Sequence, residues 1–184
     1  MLIDKLIMII KNSMDGTTTH DYQHTLRVYK LSEQIAIAEN ADVDLVKVGA
    51  LLHDIGRSVG EPHTETGAIR AREILESLDY PKERISLVES IIRRHGTRGE
   101  DQTRTLEEQI IWDADKIDGF GAIGLARAFY MRGEKRMMFH DFNWFRGITE
   151  PQYNAIRTYS AKRIAESRFQ FMEEFFDRLE DEIQ

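Results

Sequence analysis

The tightest constraint on the fold is the stretch Gly49-Ala50-Leu51-Leu52-His53-Asp54-Ile55-Gly56. An apolar run ends there in an imidazole and a carboxylate, so both groups are expected inside the core. An unpaired carboxylate in an apolar setting is costly, and the pair therefore needs a partner. A divalent ion is one, since imidazole nitrogen and carboxylate oxygen suit the first-row transition metals. Gly56 is expected to stop the helix, as a glycine after the last periodic residue usually does. The rest of the chain reads as a shell that brings further ligands to this pair.

That shell is helical. With 3 prolines in 184 residues there is room for long helices. Residues from Leu2 to about Met14 form a short amphipathic helix, and Asp15-Gly16-Thr17-Thr18-Thr19 is a turn. From His20 to about Asn40 the residues His24, Val28, Leu31 and Ile35 share one helix face, so His24 points inward and His20 precedes it by a turn. Asp42 caps the helix that leads into His53-Asp54. A helix from His63 to Leu78 and another from Pro81 to Gly96 follow, then a polar loop from Gly96 to Thr103. Thr105 and Glu108 have capping-box spacing for a helix whose inner face reaches Asp115. A lone inward histidine is usually a core residue bonded to a carbonyl. His24, His53, Asp54 and Asp115 lie on three helices and together make two imidazoles and two carboxylates, a full ligand set for one ion.

Glycines 119, 121 and 124 mimic a dinucleotide fingerprint, but no strand precedes them, and they are expected to let two helices approach closely. The stretch from Gly133 to Pro151 is irregular and rich in Met, Phe and Trp, with His140 and Asp141. The span from Met131 to Phe145 reads as a lid or a homodimer surface. One long helix is expected from Gln152 onward. The fold class is all-α.

A net charge of -7 argues against an extended nucleic-acid surface, which needs Lys and Arg against phosphates. The absence of cysteine excludes disulfides and Cys-ligated zinc. No run is long enough to span a bilayer, and the N-terminus lacks the features of a signal peptide, so a cytoplasmic protein is expected.

Three strings in this order resemble the HD-domain metal-dependent phosphohydrolases: His20-Asp21-x-x-His24-x-x-Arg27-Val28, Leu51-Leu52-His53-Asp54-Ile55-Gly56 and Asp113-Ala114-Asp115-Lys116-Ile117-Asp118. The run from Gly121 to Phe129 is similar to a small bacterial branch of that family. The resemblance extends from about Thr19 to Asp177. It implies a single HD-type helical bundle over 1–184, with a core of about 19–132 and a C-terminal helix of about 152–183 packed on it. It implies metal ligation by His24, His53, Asp54 and Asp115. It implies catalytic or supporting roles for Asp54, His20 and Asp118, and phosphate contacts from Lys116, Arg27, Arg94 and Arg127. His63 and His95 are expected to be substrate contacts or exposed histidines before second-metal ligands. The implied activity is hydrolysis of a phosphate ester or anhydride of a small molecule, a nucleotide first, by metal-activated water. Mn, Fe, Co, Ni or Zn would serve, and Mg is allowed. The alternative is a non-catalytic regulatory protein that binds metal or nucleotide. No Glu-Asp pair of the alarmone hydrolases follows His53-Asp54, and the Gly-Tyr-Pro of the cyclic-dinucleotide branch is absent.

Overall fold

The computed structural model describes residues 1–14, 20–96, 104–134 and 143–183, and all regular structure among them is helical. The helices are α1 (Leu2–Ser13), α2 (Tyr22–Ala38), α3 (Val43–Leu52), α4 (His63–Ser77), α5 (Lys82–His95), α6 (Leu106–Asp118), α7 (Gly121–Glu134), α8 (Asn143–Asn154) and α9 (Tyr159–Ile183). Their starts carry the expected chemistry. Asp21 accepts from the His24 N–H at 2.7 Å and Asp42 from that of Leu45 at 3.0 Å, and Thr105 and Glu108 close a capping box. The turn before His20, most of the loop after Gly96, and His140 and Asp141 lie outside the described residues.

The centre of the fold is α3. Seven of its ten residues are buried, and a helix apolar nearly all round belongs inside a core. It packs against α1, α2, α5 and α6, while α2 and α6 also touch each other. The three helices whose ends or inner faces carry His24, His53 and Asp115 are thus mutual neighbours. Gly49 permits the close fit on α6, because a Cβ there would stand 2.8 Å from Ile111 Cδ1.

Two local expectations need correction, at Gly56 and in the C-terminal segment. Gly56 does not stop α3, which ends at Leu52; it lies in a 3-10 turn, Ile55–Ser58. A Cβ on Gly56 would stand 1.9 Å from the His63 carbonyl oxygen and 2.5 Å from the Gly67 nitrogen. Glycine is there to let α4 approach. The glycines after α6 let helices approach closely, as expected: a Cβ on Gly121 would stand 3.3 Å from Arg168 Cβ of α9. Gly121 has φ +72°, and a Cβ on Gly124 would stand 2.0 Å from the Gly119 carbonyl oxygen. Finally, the C-terminal segment is two helices. α8 begins at Asn143 and holds Pro151, and α9 begins at Tyr159. Buried Asp113 of α6 holds the break by accepting from the Thr158 N–H at 3.0 Å and its hydroxyl at 2.7 Å. A backbone caught by a distant carboxylate leaves no periodic trace in its own sequence.

Candidate metal centre

Each histidine at the centre has one ring nitrogen already committed. His53 donates from Nδ1 to the Ala50 carbonyl at 2.8 Å, a bond available because the ring follows the last turn of α3. His24 donates from Nδ1 to Asp118 Oδ2 at 2.7 Å. In the neutral rings both Nε2 atoms would present lone pairs, and they face each other at 3.4 Å. Asp115 Oδ1 lies 3.4 Å from His24 Nε2 and 4.0 Å from His53 Nε2. Asp54 Oδ2 lies 3.7 Å and 3.6 Å from the same two atoms. Ligand atoms about 2.1 Å from one ion stand roughly 3–4 Å from each other, so this spacing fits a shared divalent cation. The set also fits by chemistry, since acceptors brought together in a buried place need positive charge between them.

The electrostatics agree. Burial alone would lower His24, yet Asp115 and Asp118 raise it to about 9. His53 is pushed down to about 4 by burial. Burial would raise Asp54 and Asp115, but the charge of His53 and bonds from His20 and His95 hold Asp54 well below the carboxylate range, and Lys116 and His24 do so for Asp115. Without an ion the cluster keeps a proton on His24 and its carboxylates ionised.

Around this core the remaining candidates divide. His20 meets Asp54 Oδ2 through Nδ1 at 2.9 Å and lines a cleft that opens beside the cluster. Burial lowers its pKa, so the ring is neutral near pH 7. Asp118 takes Arg27 at 2.7 and 3.0 Å and Arg127 at 2.7 Å besides His24. Burial opposes its ionisation, but His24 and Arg27 bring it down to about 2. With both oxygens engaged Asp118 is a poor general base; it orients His24, as a carboxylate behind a metal-binding imidazole does. Lys116 bonds Asp115 Oδ2 and joins Arg127 in the cleft lining. Arg27 is turned to Asp118, and Arg94 pairs with Glu108 at 3.2 Å and does not line the cleft.

A second group uses the other oxygen of Asp54. His95 donates from Nδ1 to the Ile92 carbonyl at 2.6 Å and sets Nε2 3.3 Å from Asp54 Oδ1. His63 Nε2 lies 3.8 Å and Arg57 Nε 2.8 Å from the same oxygen. His95 is 2% exposed, which overturns the expectation of an exposed histidine. Sequence reading missed Arg57, although it stands directly after the motif, three residues beyond Asp54. On the far side of the cleft α7 and α8 supply Ala128, Met131, Trp144, Phe145 and Ile148, three of them in the span from Met131 to Phe145 that reads as a lid or a homodimer surface.

The HD domain family model matches residues 21–119, from the cap of α2 to the end of α6. The chain belongs to the HD domain family. It is 29% identical to the uncharacterized protein YpgQ of Bacillus subtilis over 92% of this chain and 87% of that one. The structure of Bacillus subtilis YpgQ in complex with ADP superposes with a TM-score of 0.81 at 26% identity, covering 98% of this chain and 97% of that one. An HD-superfamily hydrolase of Bacillus thuringiensis gives 0.81 at 28% identity over 98% and 95%. This HD chain thus has the all-α fold of the superfamily's hydrolases and a His/Asp cluster able to hold a divalent metal. Among its described residues no helix is long and apolar enough to cross a membrane.

Proposed function

We propose that this HD protein is a metal-dependent phosphohydrolase acting on a phosphate ester or anhydride of a small molecule, with nucleotides the leading class. One observation carries the reading: Nε2 of His24 and Nε2 of His53 face each other at 3.4 Å, beside carboxylate oxygens of Asp54 and Asp115. His24, His53, Asp54 and Asp115 would hold one ion. When bound, such an ion acidifies water and withdraws charge from phosphoryl oxygens.

The chain's own residues supply the rest. Phosphoryl transfer depends mostly on positioning and charge neutralisation. Lys116 and Arg127 bring cations to the cleft beside Asp115 and would meet the phosphate. His20, donating Nδ1–H to the Asp54 carboxylate, turns its basic Nε2 away from Asp54 and would accept a proton in the cleft. Asp118 keeps Nε2 of His24 aimed at the ion position and holds Arg27 and Arg127 in place. The ADP held by Bacillus subtilis YpgQ supports a nucleotide as the phosphorylated partner here.

The test is a panel of nucleotides and phosphomonoesters run with Mn, Fe, Co, Ni, Zn and Mg, together with metal analysis. Metal-dependent turnover and one ion per chain are expected, with turnover lost in His53→Ala and Asp54→Ala. Two ions per chain would place the second at Asp54 Oδ1, His63 and His95, where it must displace the Arg57 contact. Undiminished turnover after complete metal removal overturns the reading. Nucleotide binding without turnover would instead favour a regulatory HD protein.

A further inference from the structure

Phosphate chemistry accounts for only one end of the cleft. Beyond Lys116 and Arg127 the lining turns apolar, with Ala128 and Met131 from α7 and Trp144, Phe145 and Ile148 from α8. These residues lie outside 21–119, the part shared with the family model. Ile148 is 49% exposed, a large aliphatic group at the edge of a charged site. The Trp144 indole is held by its neighbours. Arg132, itself buried, sets its guanidinium carbon 4.7 Å from the indole centroid, and the Phe145 ring lies 5.3 Å away. Phe145 rests in turn on Phe176 of α9 at 6.0 Å. A ring held this firmly loses little freedom when a second ring stacks on it, which is what preorganisation contributes to binding.

The wall also has a polar margin. Gln152 adds a polar side chain to the lining, while Thr149, buried, spends its hydroxyl on the Phe145 carbonyl at 2.8 Å. An alkyl chain would leave the Gln152 amide facing hydrocarbon, at a cost. A heteroaromatic ring would cover the indole and offer that amide a partner. The cleft volume is about 220 Å³, below the roughly 300–1,000 Å³ of sites for drug-sized ligands. The cleft is open to one side, and a single ring system against the wall leaves its phosphate at the Lys116 and Arg127 end.

We infer that the α7–α8 wall is the specificity face for the organic part of the substrate, a single flat heteroaromatic ring system joined to the phosphate, with Trp144 as its stacking platform. This rests on the hydrolase reading for its substrate and not for its binding. The test compares a purine nucleoside triphosphate with inorganic tripolyphosphate, both with Mn, in the wild type, Trp144→Ala, Trp144→Phe and Ala128→Phe. Trp144→Ala removes the platform and Ala128→Phe fills the slot. The ratio of kcat/KM for nucleotide over tripolyphosphate is expected to fall about tenfold in both, mainly through KM, and to be largely restored in Trp144→Phe. A parallel loss on both substrates, or an unchanged ratio, overturns the inference.

If the wild type hydrolyses neither compound, there is no ratio to compare, and the hydrolase reading is decided by the wider panel. The wall is then judged by tryptophan fluorescence. A nucleoside diphosphate should quench emission where inorganic diphosphate does not, and the quenching should vanish in Trp144→Phe. Equal effects of the two ligands, or none, overturn the inference as well.

Discussion

His24 has a different partner at each ring nitrogen, and its protonation follows from both. Nδ1 is held by Asp118 and Nε2 faces Asp115, which together bring its pKa to about 9. A histidine raised above its unfolded value of about 6.5 contributes stability that is complete below that pH and lost as pH rises through the folded value. The metal-free protein should therefore melt at lower temperature as pH goes from 6.5 to 9, by on the order of 5–10 °C. His53, depressed to about 4, acts in another window and destabilises only as pH falls from 6.5 towards 4. Calorimetric melting of chelator-treated protein across pH checks this, and His24→Gln should flatten the alkaline slope. Metal at the proposed ligands would have to displace the same proton. Metal titration in buffers of different ionisation enthalpy should show about one proton released per ion near pH 7.5. The four proposed ligands were visible as residues because inward-facing polar groups on apolar stripes are conspicuous. The role of Asp118 was not settled by sequence, because spacing cannot show that Arg27 and Arg127 close on its oxygens from α2 and α7.

Among the helices, two junctions decide the geometry. Gly56 lets α4 come within backbone contact of the 3-10 turn that follows Asp54. Gly56→Ala places a methyl group against the His63 carbonyl and should cost about 3 kcal/mol or more, with bound metal lost alongside stability. Denaturant unfolding with metal analysis measures both. Asp113 ties the break between α8 and α9 to α6 through Thr158 and accepts from Gln109 Nε2 as well. Asp113→Ala strands these donors and should cost about 2–4 kcal/mol, read as a drop in Tm. Although α8 (Asn143–Asn154) lies largely in a stretch that reads as irregular, the helices up to α7 and most of their starts were legible, because caps such as Asp42 and the Thr105–Glu108 box are local chemistry. The break after Asn154 was not, because its cause is a side chain 45 positions away in sequence. Gly56 misled for a related reason, since a glycine that ends a helix and one that admits a neighbour look alike along the chain.

At the level of the whole molecule, the proposed ion joins elements that the chain leaves far apart. His24 on α2, His53 and Asp54 after α3, and Asp115 on α6 would share it. An ion bound only by the folded state stabilises by about 2.7 kcal/mol when free ion stands at 100 times its Kd. Chelation should therefore lower Tm by several degrees, and return of Mn or Co should restore it. Sodium chloride at matched ionic strength should not. Scanning calorimetry with and without chelator tests this.

Asp113, Asp115 and Asp118 all stand on α6, so one rod carries the grip on the α8–α9 junction, a proposed ligand and the support behind another. The proposed reaction centre and the proposed recognition wall would thereby be measured from a common datum. Side chains on α8 could then drift through descent, retuning which compounds are accepted, while the proposed hydrolytic machinery kept its alignment.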